Sequence, residues 1–158
     1  MRRARTSAEE KGSEPEPVEV TIDSIHMNSA YPHRTVSLKQ KDAERYLYVV
    51  VGVPEADAIA LKLNKVDVPR PMAHDLMLSG FGALGADVRR VVVNDHRGDT
   101  FYAHVVLHAS GREVALDARP SDALALAVRA EVPIFVAESV LSRCGTDQKP
   151  GTSPEAEP

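Results

Sequence analysis

The sequence predicts an α+β domain built on a mixed, mostly antiparallel sheet, and two observations lead there. Runs of alternating apolar residues outnumber helix-period runs and follow one another across short turns. The order strand, strand, strand, helix also occurs twice, with Asp57-Ala58-Ile59-Ala60-Leu61 matching Asp122-Ala123-Leu124-Ala125-Leu126 at an offset of 65 residues. Asp67-Val68-Pro69 is echoed by Glu131-Val132-Pro133, and the repetition points to a duplicated βββα unit.

Val18, Val20 and Ile22 alternate with polar residues as a half-buried strand does, and Val36 and Leu38 repeat the pattern after a turn at Tyr31-Pro32. A third strand runs from Arg45 to Val51 and stops at Gly52. Pro54 then opens a helix in which Ala56, Ile59, Ala60 and Leu63 share one face. A second helix is expected to begin at Pro71 and to run through Met72, Leu76 and Ala83 until Gly85. Strands at Val88 to Val93, Phe101 to Leu107 and Glu113 to Leu116 feed a helix over Ser121 to Arg129. Ile134 to Val136 reads as a short strand and Glu138 to Arg143 as a closing helical turn.

With 158 residues, 43% apolar and 27% charged, the chain suits one domain with a core of its own. Its single cysteine, Cys144, staples nothing within the chain and fits a reducing, cytoplasmic compartment. No run approaches the roughly 20 apolar residues that span a bilayer. Arg2, Arg3 and Arg5 are followed by polar and acidic residues, which is not a secretion signal. Residues 1–17 and 146–158 hold few apolar side chains and are expected to be disordered tails around a domain at 18–145. The net charge of -4 speaks against non-specific electrostatic binding to nucleic acid. No tryptophan, three phenylalanines and four tyrosines give little for a base-stacking platform.

Three clusters carry the candidate chemistry. In Pro69-Arg70-Pro71-Met72-Ala73-His74-Asp75, an arginine precedes a helix start, which is a phosphate-binding arrangement, with His74 as proton-transfer group and Asp75 to orient it or bind a hard metal. An ion pair of Arg70 with Asp75 and a packed His74 explain the same residues. In Ala118-Arg119-Pro120-Ser121-Asp122, Ser121 suits an N-cap and Asp122 the helix dipole. Arg119 beside a helix N-terminus needs an anionic partner, for which Asp75, Glu55 or a bound phosphate qualifies. Glu55 and Asp57, in the first turn after Pro54, fit the dipole as structural residues. His104 and His108 lie four apart in a strand, about 13 Å from each other, too far to share a metal. His26, His33 and His96 read as strand-end or loop residues. No GxSxG, HExxH, Walker loop, GxGxxG or CxxC is present, which removes the serine hydrolase, zincin and kinase readings.

VGVPEADAIAL, VPRPMAHDLM and DARPSDALALAVRAEVPIFV, in this order and spacing, resemble the bifunctional nuclease domain family over about Val18 to Leu141. The resemblance implies a compact α+β domain, a homo-oligomer, cleavage of DNA and RNA, and shared polar residues at Arg70, His74, Asp75, Arg119, Ser121 and Asp122. On that pattern Arg70, Arg119 and Ser121 would hold substrate phosphate. Asp75 and Asp122 would ligate magnesium or manganese or activate water, and His74 would transfer the proton. Ala73 departs from the pattern, which expects a hydroxyl residue before the His-Asp pair. Two readings follow: a metal-assisted phosphodiesterase, or a non-catalytic oligomeric module in which pairs such as Arg119-Asp75 and Arg70-Asp122 join helix ends or subunits, or bind a small anion.

Overall fold

The computed structural model describes residues 14–27 and 30–151. Its elements are β1 (Val18–Met27), β2 (Arg34–Gln40), β3 (Tyr46–Val51), α1 (Val53–Leu63), α2 (Ala73–Ala83), β4 (Ala86–Arg97), β5 (Thr100–Ala109), β6 (Arg112–Ala118), α3 (Pro120–Ala130), β7 (Ile134–Val136) and α4 (Glu138–Cys144). The strands form one sheet in the order β3-β2-β1-β7-β4-β5-β6. Each βββ unit is an antiparallel meander that runs outward from the short central β7. β7 lies antiparallel to β1 and parallel to β4, so the sheet is mixed and mostly antiparallel.

Period-2 alternation puts Val36, Leu38, Leu47, Val49, Val51, Val91, Val93, Ala103 and Val105 in one core, all almost fully buried. Against them lies α3, in which every residue from Ala123 to Ala127 is buried. A helix apolar on all sides is a central helix, and α3 packs on α1, α2, β4 and β5 at once. Its alanines let these neighbours approach closely. Its few polar residues, Ser121, Asp122 and Arg129, are therefore held by the best-packed element of the domain. Among the described residues no helix is long and apolar enough to cross a membrane.

Several boundaries differ from the sequence reading, and β4 runs four residues past Val93, to Arg97. β1 runs five residues past Ile22, because a register shift between Ile22 and Ser24 breaks the apolar alternation while the pairing with β2 continues to Met27. α2 begins at Ala73, with Met72 as an extended N-cap, so Pro71 is outside the helix. α3 has Arg119 as N-cap and Pro120 in its first turn, so Ser121 is inside the helix and makes no cap hydrogen bond. Residues 1–13 and 152–158, the greater part of both expected tails, lie outside the described residues. Thr146, assigned to the C-terminal tail, exchanges backbone hydrogen bonds with Tyr46 of β3 at 2.7 and 2.9 Å.

Candidate functional site

The first turn of α2 is fastened to α3 at two points, and these divide the expected site. His74 and Asp75 are neighbours on a helix and so point in different directions. His74, only 6% exposed, places Nε2 3.0 Å from Asp122 Oδ1. Asp75 instead accepts from Arg129 Nε at 2.9 Å and from the Met72 amide at 2.8 Å. The second of these bonds satisfies a helix N-terminal donor and explains where α2 starts.

Asp122 sits at the junction of a longer chain of contacts. Its Oδ2 accepts from Arg119 Nε at 2.9 Å, and a terminal nitrogen of Arg119 donates to Glu55 Oε1 at 3.1 Å. His74 on α2, Asp122 and Arg119 at the start of α3, and Glu55 in the first turn of α1 thus form one connected group. Burial pushes the Asp122 carboxyl up, but the Arg119 and His74 hydrogen bonds outweigh it and hold the group below its usual range. An ionised Asp122 only accepts, so His74 Nε2 carries the hydrogen and Nδ1 is the open nitrogen. Among the described residues nothing bonds Nδ1, and it is not one of the fully enclosed polar atoms that lack a partner.

The Asp75 carboxyl is also held low, by the Met72 amide first and by the Arg129 charge, against the opposing effect of burial. Arg129 is the residue the sequence reading missed. Its side chain is 4% exposed, with its remaining hydrogen bonds going to the Ala125 carbonyl and weakly to Met72 Sδ. It follows Asp122 by seven residues and therefore shares its helix face, a spacing that was visible in the sequence.

The expected pairs Arg119-Asp75 and Arg70-Asp122 are corrected: Asp75 pairs with Arg129, and Asp122 with Arg119 and His74. Of the three partners considered for Arg119, Glu55 holds it, so Glu55 belongs to the site, whereas Asp57 is exposed. Arg70 is exposed, has no ion pair among the described residues, and lines a cavity of about 360 Å³ with Lys62, Asp75 and Arg129. Arg119 and Ser121 line a different cavity, of about 300 Å³. Asp75 and Asp122, expected to ligate a divalent ion, each serve a separate arginine, and no group of three or more His, Cys, Asp or Glu among the described residues is placed to hold a metal. A divalent ion held there by one or two carboxylates and waters would have to compete with those arginines. His104 and His108 lie opposite Asp117 and Glu113 on β6, and His96 belongs to β4, where its Nδ1 is 3.4 Å from Cys144 Sγ.

The sequence profile of the bifunctional nuclease domain matches residues 36–149. An uncharacterized protein of Mycobacterium tuberculosis is 37% identical over 127 residues, which is 80% of this chain and 76% of that protein. Bifunctional nuclease 1 of Oryza sativa subsp. japonica is 30% identical over 117 residues, 71% of this chain and 35% of the plant protein. Bifunctional nuclease 2 of Arabidopsis thaliana is 32% identical over 110 residues, 66% of this chain and 33% of the relative. The chain spans about a third of these plant relatives' length. The matched stretch contains every residue of both α3 clamps, from Glu55 to Arg129, and the chain belongs to the bifunctional nuclease domain family.

Proposed function

We propose that the chain is a nuclease that hydrolyses phosphodiester bonds of DNA or RNA, with His74 as the proton-transfer group. The observation that carries this reading is the imidazole fixed by Asp122 through Nε2, with Nδ1 unbonded among the described residues and the two-thirds exposed Arg119 on the other oxygen of the same carboxylate. Fixing one ring nitrogen on a carboxylate sets the tautomer and the aim of the other. His74 Nδ1 takes the proton from the attacking hydroxyl, that of water or of an RNA 2′ position, as its oxygen bonds to phosphorus; the P–O bond to the leaving sugar oxygen breaks, and that oxygen takes its proton from the imidazolium or from solvent. Arg119 and the α3 N-terminus offset the charge that builds on the phosphate. General-base assistance of this kind is worth roughly 10²–10⁴ in rate. The carboxylates Asp75 and Asp122 are engaged by arginines, and no step is routed through a divalent ion.

Asp75 and Arg129 have a different part, as the fastening that holds α2 against α3 and keeps His74 in place. A homo-oligomer is included in the reading, supported by the exposed Leu76 and Met77 on α2 and Leu84 just after it. The free Cys144 fits a reducing compartment. A second reading, a non-catalytic module, is favoured by one observation: each arginine and carboxylate named here except Arg70 is already engaged within the protein, tying α1, α2 and α3 together.

The test is cleavage of labelled single- and double-stranded DNA and RNA by purified full chain in magnesium, manganese or EDTA, alongside His74→Ala and Asp122→Asn. Cutting by the wild type that disappears in both folded variants supports the nuclease. Loss of stability in both variants, with no cutting by the wild type in any arm, selects the module. Cutting abolished by EDTA alone would show that the residues assigned here omit the metal's ligands.

A further inference from the structure

Building on the nuclease reading, we propose that the cavity between the β3 edge and the start of α3 is a nucleotide subsite, selective for a phosphate in singly charged phosphodiester linkage. Its volume of about 300 Å³ is at the lower end of the range for small-ligand sites.

One end of the cavity is built for an anion. Ser121 is 7% exposed and lines the cavity. Neither its hydroxyl nor its amide is bonded within the described residues, although the neighbouring amides of Asp122 and Ala123 are both accepted by the Arg119 carbonyl. Pro120 has no amide to give. The open donors of this helix end are therefore concentrated at Ser121, which also faces the partial positive charge of an eleven-residue helix. Arg119 adds its second terminal nitrogen, the only one not donated to Asp122 or Glu55.

The other end is built for a base. Phe101 and Tyr48 supply aromatic surface, and Val50, 64% exposed, supplies an aliphatic one. β3 is the last strand of the sheet, so no strand pairs with one side of its backbone beyond the Tyr46-Thr146 bridge. Tyr46 turns its amide and carbonyl outward to Thr146, and by the alternation of an antiparallel strand Tyr48 and Val50 turn theirs the same way. Those outward groups have no partner among the described residues and are the donors and acceptors that read a base edge. Asp99, on the hairpin between β4 and β5, adds an acceptor for sugar or base hydrogens.

The charge balance decides which phosphate fits. Arg119 stands between two carboxylates, Asp122 and Glu55, so the anion meets one cation flanked by two negative groups. At such spacing each added negative charge is repelled appreciably even at an effective dielectric of about 20. A diester, with one charge, is tolerated where a terminal phosphate, with close to two at neutral pH, is not. The cavity accordingly holds a unit within a strand better than a released mononucleotide.

The experiment is calorimetric titration of the full chain at pH 7.5 with a nucleoside 5′-methylphosphate, the same nucleoside 5′-monophosphate, and dimethyl phosphate. The expected order has the first binding about tenfold or more tighter than either of the others. Val50→Glu and Ser121→Ala are each expected to weaken it by about tenfold, with circular dichroism checking the fold. If Val50→Glu does not fold, Ser121→Ala and the ligand series decide. Equal affinity for dimethyl phosphate and the nucleoside diester overturns the base slot, tighter binding of the monophosphate overturns the charge argument, and indifference to both variants overturns the location. Variant-sensitive binding without any nucleic-acid cleavage leaves the cavity standing and removes the nuclease. Cleavage with a KM unchanged by both variants does the reverse.

Discussion

Replacing Asp75 by alanine removes two hydrogen bonds at once and leaves a buried cation without its counter-charge. The Arg129 side chain is 4% exposed and would keep only the Ala125 carbonyl and the distant Met72 sulfur as acceptors. Breaking a buried ion pair from one side costs about 3–5 kcal/mol. Asp75 itself is 35% exposed, so solvent screening takes the cost below that range, to about 2–3 kcal/mol. The lost bond to the Met72 amide adds about 1 kcal/mol. A total of about 3–4 kcal/mol corresponds to a fall in Tm of roughly 10–15 °C for a domain of this size. Thermal unfolding followed by circular dichroism reads it, and the double variant Asp75→Leu with Arg129→Met, which removes both charges, should recover most of the loss. A fall of less than about 3 °C for Asp75→Ala, or a double variant worse than the single, would refute the clamp.

Acid should unfold the protein through the same carboxylates. Asp75 and Asp122 are held below their ordinary values in the folded chain. Their contribution is therefore complete above the unfolded value, near pH 4, and is lost as pH falls through the lower folded values. Tm is expected to be level between about pH 7 and 5 and to drop below about 4. Asp75→Asn and Asp122→Asn should each flatten that drop, and an unchanged slope in both would count against the assignment. At the end of α3, Glu131 is held in the left-handed region at φ 56° and ψ 44°, which favours glycine. Glu131→Gly should stabilise by about 1 kcal/mol, raising Tm by roughly 3 °C; a fall in Tm would show that the Glu131 side chain contributes more than the backbone costs.

The fold was legible because its signals are local. Alternation marked β1 and β2, runs between turn residues marked the other strands, and proline with an apolar helical face marked α1 and α3. Where a boundary was misplaced, a local rule met a non-local constraint. The bulge after Ile22 hid half of β1, and the Asp75 bond to Met72 set the start of α2 two residues beyond Pro71. The site was legible as a list and not as a set of pairs. His74, Asp122 and Arg119 do meet, because α2 and α3 pack together, but nothing in the neighbourhood of Asp75 in sequence announced Arg129, 54 residues away. Glu55 was read as a dipole residue since its partner lies 64 residues along the chain. The matching helix starts did not lead to matching surroundings: Asp122 joins His74 and Arg119, while its counterpart Asp57 is exposed.

The most direct test of the account is the single-turnover rate of RNA cleavage by folded His74→Ala against wild type, in magnesium and in EDTA. A loss of about a hundredfold or more in the rate of cutting is expected in every arm where the wild type cuts, with the Asp75-Arg129 pair still holding the fold. Cleavage at the wild-type rate by a folded His74→Ala protein would contradict it.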